Sequence, residues 1–192
     1  MKSVPLDPGD SSEGPSAEGT GLRALAPRRF DDVYDTYFPF VWRCLRALGV
    51  PAGALDDAAQ DVFLVVHRQL PGFRGQSSAR TWLFGIARHV ASNHQRREHR
   101  KQAPLEPLLA EPPHLAPSPL ERAQDAEAAT FVQEFLSKVD GKKRDLFILA
   151  VLEGMSIPEV SAALAIPLNT AYTRLRTVRA EFERALERHS HE

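Results

Sequence analysis

The sequence predicts an all-α protein built from two small helical domains that a Pro-rich linker joins. Apolar residues recur at the i+3/i+4 spacing of amphipathic helices, whereas the alternation typical of strands is hard to find. Six prolines fall between positions 102 and 120, where no periodic pattern is present. Residues 156–179 have the pattern of two short helices joined by a tight turn, which predicts a helix-turn-helix in the C-terminal domain.

The composition limits the class of protein. At 192 residues the chain has room for one or two small domains with usable apolar cores. The single cysteine, Cys44, excludes an internal disulfide and a cysteine-based zinc site, which suits a reducing compartment. No apolar run reaches the roughly 18–20 residues of a membrane span, and the N-terminus lacks the apolar core of a signal peptide. We therefore expect a cytoplasmic protein without membrane insertion.

The first domain is predicted over residues 29–101, after a tail at 1–28 whose Pro, Gly, Ser and acidic residues predict disorder. It is predicted to begin with an aromatic-rich pair of helical segments around Pro39, followed by a helix over about 55–70. On the outer face of that second helix, Leu64 stands among polar residues. This indicates either a surface for a partner or an ordinary exposed leucine.

A third helix is predicted over about 79–100, after a loop at 71–78 that Pro, Gly and Ser residues mark. One side of this helix is aromatic at one end and basic at the other, and it carries Trp82, His89, Asn93 and Arg96. Such a surface suits single-stranded nucleic acid, whose bases stack on aromatic rings while its backbone follows arginines. The alternative interpretation is that Trp82 belongs to the core and that the arginines are merely solvated.

The net charge of −1 conceals a segregation of charge along the chain. Residues 88–101 carry a net charge of +4, and residues 102–140 carry −5. Because charges are screened over about 8–10 Å, the local basic patch matters more to phosphate attraction than the sum over the chain. An acidic stretch beside such a patch can shield it from non-specific DNA.

The second domain is predicted over 121–188, after the linker at 102–120. One of its helices is predicted over 142–153 with Leu152 on the buried side, and Gly154 is predicted to end it. In the helix-turn-helix that follows, Ser156 and Glu159 have capping-box spacing. The last helix is predicted to take Asn169 as its N-cap and to fray from Arg184 onward.

The outer face of this last helix indicates contact with the major groove of DNA. Its polar and basic side chains are Asn169, Thr173 and Arg176, with Tyr172 beside them and Arg174 and Arg179 on the flanks. The alternative is an ordinary helical hairpin with a solvated basic face.

No constellation of residues predicts catalysis or a cofactor. The histidines do not have the spacing of a helical metal site, and no phosphate-binding glycine loop or nucleophile elbow is present. Asp56, Asp57 and Asp61 suggest a divalent-cation site, but acids one turn apart on an exposed helix are more often a solvated face. We expect no cofactor and no enzymatic activity.

Several short motifs occur together in a defined order. They are Asp57-Ala-Ala-Gln60-Asp-Val-Phe63, Phe73-Arg-Gly-Gln-Ser-Ser, Arg80-Thr-Trp82-Leu-Phe-Gly-Ile-Ala-Arg88, Arg96-Arg97, Glu153-Gly154, and Asn169-Thr170 through Arg174-Leu175. In this order the chain, over about residues 30–188, resembles bacterial RNA polymerase sigma factors of the extracytoplasmic-function group of the sigma-70 family.

The resemblance implies three functional surfaces and no catalytic residue. The surface that contacts core RNA polymerase would comprise Asp57, Gln60, Asp61, Leu64 and Arg68. The element that melts and holds the −10 region of promoter DNA would comprise Arg74, Gln76, Ser77, Arg80, Trp82, Arg88, His89, Asn93, Arg96 and Arg97. The helix that recognises the −35 duplex would use Asn169, Thr170, Tyr172, Thr173, Arg174, Arg176 and Arg179.

The resemblance also implies binding partners, and it implies which of the −35 residues contact bases and which contact phosphates. Asn169, Tyr172, Thr173 and Arg176 are expected at base edges, and Arg174 and Arg179 at phosphates. The partners implied are core RNA polymerase, promoter DNA and an anti-sigma factor. A self-sufficient helix-turn-helix regulator, which never touches polymerase through residues 56–68, is the competing interpretation. Tight binding of the isolated chain to a palindromic duplex would favour that interpretation.

Overall fold

The computed structural model describes the backbone of residues 29–101 and 119–190, and the side chains of residues 29–97 and 127–190. All regular structure in these ranges is helical, so the all-α prediction is confirmed. The α-helices are α1 (Phe30–Ala47), α2 (Leu55–Gln69), α3 (Ala79–Lys101), α4 (Pro119–Lys138), α5 (Gly141–Phe147), α6 (Ile157–Ala163) and α7 (Leu168–His189). The predicted tail at 1–28 and positions 102–118 of the predicted linker lie outside the described residues. Positions 119 and 120, also predicted as linker, form the start of α4.

Helices α1, α2 and α3 pack against one another and form the first domain. Their fully buried side chains include Val33, Val41, Leu45, Leu55, Val62, Leu83 and Phe84. Helix α1 runs through Pro39 without a break, so the prediction of two segments around Pro39 is wrong. A proline inside a helix removes one backbone hydrogen bond. Buried residues on both sides of it, Val33 before and Phe40 after, hold the helix together by packing.

The second domain is built around an aromatic cluster that α4, α5 and α7 share. The ring of Phe182 in α7 lies 5.0 Å from that of Phe135 and 5.2 Å from that of Phe147. Further along α7, the ring of His189 stacks on that of Phe131 at 4.8 Å. These contacts keep α7 helical to His189, so the prediction that the chain frays from Arg184 is wrong.

A π-helical turn, Ile148–Leu152, follows α5 directly. The N–H of Glu153 donates to the carbonyl of Ile148 at 2.9 Å, which closes a turn one residue wider than an α-helical turn. The extra residue rotates the following side chains, so Ile148 is buried while Leu152 is 40% exposed. The prediction that Leu152 is buried is therefore wrong. Gly154 ends the element as predicted, with a left-handed φ of 63°.

The two domains contact each other, with α3 against α6 and α1 against α4. The contact brings side chains of the first domain that were predicted to bind DNA against the second domain.

Candidate nucleic-acid interface

The helix-turn-helix is formed by α6, a short turn and α7. At the start of α6, Ser156 and Glu159 form the predicted capping box, in which Glu159 Oε2 accepts from the N–H of Ser156 at 3.0 Å. In the turn, Ala165 has a positive φ of 50°, and Ser161 Oγ donates to the carbonyl of Ile166 at 2.6 Å. These local bonds fix the angle at which α7 leaves the turn.

Helix α7 begins two residues earlier than predicted. Its N-cap is Pro167, which makes no side-chain cap, so the prediction that Asn169 is the N-cap is wrong. Proline suits the position, because a helix start needs no N–H from it. Asn169 lies in the first turn and is exposed.

The buried and exposed faces of α7 separate as the sequence predicted. Ala171, Leu175 and Val178 face the core. The opposite side, which we call the reading face, is exposed at Asn169, Tyr172, Thr173, Arg176 and Arg179, and half-buried at Thr170 and Arg174. Tyr172 is 53% exposed, the most of the large apolar side chains described. Thr173 Oγ1 donates to the carbonyl of Asn169 at 2.9 Å, which leaves its lone pairs to accept from a base.

The loop before α3 is held in shape by its own side chains. Gln76 Oε1 accepts from the N–H of Arg74 at 3.2 Å, and Gly75 takes a positive φ of 71°. The ring of Phe73 lies 4.6 Å from that of Trp82 in a tilted stack. Both rings are half-buried, so Trp82 is neither a core residue nor a free one. Ser77 is also half-buried.

The basic residues of α3 divide into two groups. Arg80 lies 5.4 Å from the ring centre of Phe40 and donates to the carbonyl of Glu153 at 3.2 Å. Arg88 donates to Asp145 Oδ2 at 3.1 Å. Both therefore contact other parts of the protein. Further along the helix the predicted side chains are open to solvent, with His89, Arg96 and Arg97 exposed and Asn93 half-buried.

The outer face of α2 presents most of the residues predicted to contact polymerase. Asp57, Gln60 and Arg68 are exposed, and Leu64 is 49% exposed. Asp61 is different, because its Oδ2 lies 3.1 Å from Nε2 of the buried His94 on α3. Asp61 therefore stabilises the packing of α2 on α3 as well as lying near the outer face.

A groove of about 890 Å³ runs between α1 and α2 beside this face. Asp57, Gln60 and Leu64 form one wall. Its lining from α1 is largely aromatic and includes Tyr34, which is 39% exposed, and Phe38. The sequence reasoning missed these aromatic residues, although their density in α1 could have indicated that some line a surface.

Three groups have shifted pKa values. The hydrogen bonds that Arg43 donates to the carboxylate of Glu153 raise the pKa of Arg43, against the effect of its burial. Burial raises the pKa of Asp145, and the nearby charges of Arg88 and Arg144 only partly oppose this. Burial also raises the pKa of Cys44 well above its ordinary range, so this thiol stays protonated at neutral pH.

Within the described ranges, no group of three or more His, Cys, Asp or Glu side chains is placed to hold a metal ion. In the same part of the chain, no helix is long and apolar enough to cross a membrane.

Two family profiles match the chain, one on each domain. Sigma-70 region 2 matches residues 33–101, and sigma-70 region 4 matches residues 132–182. The first match covers α1, α2 and α3 with the loop that carries Phe73. The second covers most of the second domain, including the helix-turn-helix.

Curated relatives match over most of their length. The ECF RNA polymerase sigma factor SigC of Mycobacterium tuberculosis is 32% identical over 139 residues, which is 72% of this chain and 73% of the relative. The ferric citrate uptake sigma factor FecI of Escherichia coli is 31% identical over 143 residues, which is 73% of this chain and 81% of the relative.

Solved structures share the fold at lower identity. The sigma factor RpoE of Bartonella quintana, in complex with the anti-sigma factor NepR, superposes with a TM-score of 0.63 at 18% identity, covering 82% of this chain and 96% of that one. CnrH, in complex with the cytosolic domain of CnrY, gives a TM-score of 0.60 at 24% identity, covering 82% and 87%. From the two region matches and the identity to its relatives, the chain belongs to the extracytoplasmic-function RNA polymerase sigma factors of the sigma-70 family, which are transcription initiation factors and not enzymes.

Proposed function

We propose that this sigma factor directs core RNA polymerase to promoters whose −35 duplex is read by α7 and whose −10 strand is held by the loop 73–78 and α3. The observation that carries the proposal is the separation of two surfaces of different chemistry. One surface, formed by the loop 73–78 and α3, combines stacked aromatic rings with basic side chains. The other is the polar and basic reading face of α7, the second helix of the helix-turn-helix. The first suits unpaired bases and the second suits the major groove.

Support for the −10 role comes from the Phe73–Trp82 stack. An unpaired base needs a new stacking partner and hydrogen bonds when it leaves the duplex. The half-buried Trp82 offers an aromatic edge or face beside the loop, and the exposed Arg74 and Gln76 lie on that same loop. His89, Asn93, Arg96 and Arg97 continue along α3 and would follow the strand.

Support for the −35 role comes from the reading face of α7. Arg176 is exposed and can approach guanine with two donors, which is a common base-specific contact. Asn169 can likewise pair with adenine, and the ring of Tyr172 can contact a thymine methyl group. Arg174 and Arg179 lie on the flanks, where the phosphates of the groove edges would lie.

Support for polymerase binding comes from the groove between α1 and α2. An exposed leucine beside the exposed Tyr34 and the half-buried Phe38, bordered by Asp57 and Gln60, suits a helix with an apolar face and a basic or polar margin. We also propose an anti-sigma partner, because the fold matches two proteins that were solved as complexes, one of them a sigma factor with a named anti-sigma factor. The site of action would be the cytoplasm, where the polymerase works.

Run-off transcription tests the proposal directly. Purified core polymerase with this protein is expected to initiate at a small set of sites in a genomic promoter library, and core alone is not. Trp82→Ala should reduce initiation on duplex promoters more than on templates with a pre-opened −10 bubble, because it acts at strand capture. Thr36→Ala, at an exposed position on α1, is the control. No promoter-specific initiation by the pair would refute the proposal.

A further inference from the structure

The groove between α1 and α2 combines aromatic rings with carboxylates that have no ionic partner. Tyr34 and Phe38 supply apolar lining from α1. Asp35, Asp56 and Asp57 also line the groove, and all three are exposed. In the part of the chain whose side chains are described, no basic side chain forms an ion pair with any of these three carboxylates. The groove therefore suits a segment that carries both apolar and basic side chains.

The chain enters α1 at one end of this groove. Phe30, the first residue of α1, lines the groove, and its ring centre lies 5.0 Å from that of His67 on α2. Arg29, the residue before it, has an extended backbone with a φ of −61° and a ψ of 149°. Residues 21–28 are thus joined to the end of the groove, and a tether of this kind gives them a high local concentration there.

The segment directly before α1 has a sequence that complements the groove. Residues 21–28 lie outside the described residues, and together with Arg29 they contain Leu22, Leu25, three arginines and no acidic residue. Residues 1–20 have the opposite charge, with four acidic residues against one lysine. Arginine forms charged hydrogen bonds with carboxylates, and leucine gains free energy by burial against apolar surface. The basic and apolar part of the tail therefore adjoins the acidic and aromatic groove.

The segment is long enough to reach the far end of the groove. Asp56 and His67 are the first and last residues of α2 that line it, and at about 1.5 Å per residue they lie about 17 Å apart along the helix. An extended chain covers about 3.3–3.6 Å per residue, so the seven steps from Phe30 to Arg23 cover up to about 23–25 Å. The side chain of Arg23 can therefore reach Asp56 and Asp57 even after the chain reverses direction before α1.

We propose that residues 22–28 dock in the groove between α1 and α2 and compete there with core polymerase. The inference rests on the polymerase-binding role proposed above for this groove. The two leucines lie against the aromatic lining, and the arginines lie beside the unpaired carboxylates. Only molecules whose groove is open bind core, so the apparent affinity for core is reduced to that fraction of the molecules.

Disulfide formation in the full chain tests the docking. Ala24→Cys places a thiol in the segment, and Gln60→Cys places a second thiol at an exposed position that lines the groove. The buried Cys44 does not compete for oxidised glutathione, which is the oxidant. We expect the two thiols to join at least about 10-fold faster than in the same chain with Leu22→Ser and Leu25→Ser. The loop between the thiols has the same length in both chains, so only docking differs.

Titration with core polymerase, followed by fluorescence anisotropy, tests the competition. Leu22→Ser with Leu25→Ser should bind core about 3- to 10-fold more tightly than the unmodified protein, because the groove is open in more molecules. Val4→Ser with Leu6→Ser is the matched control, since it removes two apolar side chains from the acidic part of the same tail. This control should change neither the affinity for core nor the rate of disulfide formation.

The two readouts separate failure of the inference from failure of the proposed function. Equal rates of disulfide formation with leucine and with serine at positions 22 and 25 would overturn the docking, whatever the affinity for core. A difference in rate with an unchanged affinity for core would overturn the competition and leave promoter-specific run-off transcription untouched. A disulfide between two chains, seen as a dimer on a denaturing gel, would place a second copy in the groove and overturn docking within one chain. If no variant binds core, the competition is overturned together with the proposed polymerase role.

Discussion

Replacing Leu64 by alanine removes a side chain that is 49% exposed in the free protein and that we propose is covered by core polymerase. Full burial of a leucine side chain is worth about 1.5–3 kcal/mol, so covering the exposed half contributes about 0.8–1.5 kcal/mol. This corresponds to an affinity for core that is weaker by about 4- to 13-fold. Leu64→Asp should weaken it further, because a carboxylate must then be desolvated in an apolar contact.

The assay is a titration of dye-labelled protein with core polymerase, followed by fluorescence anisotropy. Gln69→Asp is the matched control, because it adds the same charge at an exposed position of the same helix, about 140° around its axis. The melting temperature of Leu64→Asp should stay close to that of the unmodified protein, which separates lost contact from lost fold. Unchanged affinity of Leu64→Asp for core, or equal weakening by Gln69→Asp, would refute the assignment of this face.

Three further outcomes are expected. Arg176→Ala should cost about 1–3 kcal/mol at one or two −35 positions only, measured by initiation from a library of −35 variants; equal loss at every sequence would mean that Arg176 contacts phosphate. Trp82→Ala should weaken binding of a −10 single strand by about 1–3 kcal/mol, whereas Trp82→Phe should retain most of it; an unaffected Trp82→Ala would exclude stacking. Asp145→Asn should raise the melting temperature at neutral pH, because burial raises the pKa of Asp145 and its charged form is disfavoured in the folded state. Because the pKa of Asp145 is higher in the folded than in the unfolded state, the folded protein is most stable with respect to this group below the unfolded pKa of about 3.9. That stability is lost as the pH rises through the folded pKa, so the advantage of Asp145→Asn should vanish below about pH 4. A constant difference across that range would contradict the stated cause.

Helical periodicity was sufficient for α2 and for the buried face of α7, because each buries one continuous apolar stripe. The capping box at Ser156 and Glu159 was also predictable, since it depends on residues three positions apart. The start of α7 was not, because Pro167 and Asn169 are both suitable residues for a helix start and local sequence does not rank them. Periodicity also assumes a constant rotation of about 100° per residue around the helix axis, and the π-helical turn Ile148–Leu152 breaks that assumption.

The other features that the sequence did not predict depend on contacts between residues that are far apart in the chain. Asp61 was assigned to an exposed polymerase surface, yet it also pairs with His94, which is 33 positions away. A substitution such as Asp61→Lys would therefore disturb the packing of α2 on α3 and would confuse a test of polymerase binding. Arg43 and Glu153 are 110 positions apart and belong to separately matched regions, so no pattern in either region indicates that they meet.

The one extra residue of the π-helical turn determines the direction in which the side chain of Glu153 points. One residue of an α-helix advances the chain by about 100° around the axis. Deletion of one residue from Ile148–Leu152 would let the segment rewind as an ordinary α-helix and would swing Glu153 away from Arg43 by about that angle. A length change of one residue, with no change in charge or composition at the interface itself, would thus convert a chain that closes on itself into one whose domains are free to separate.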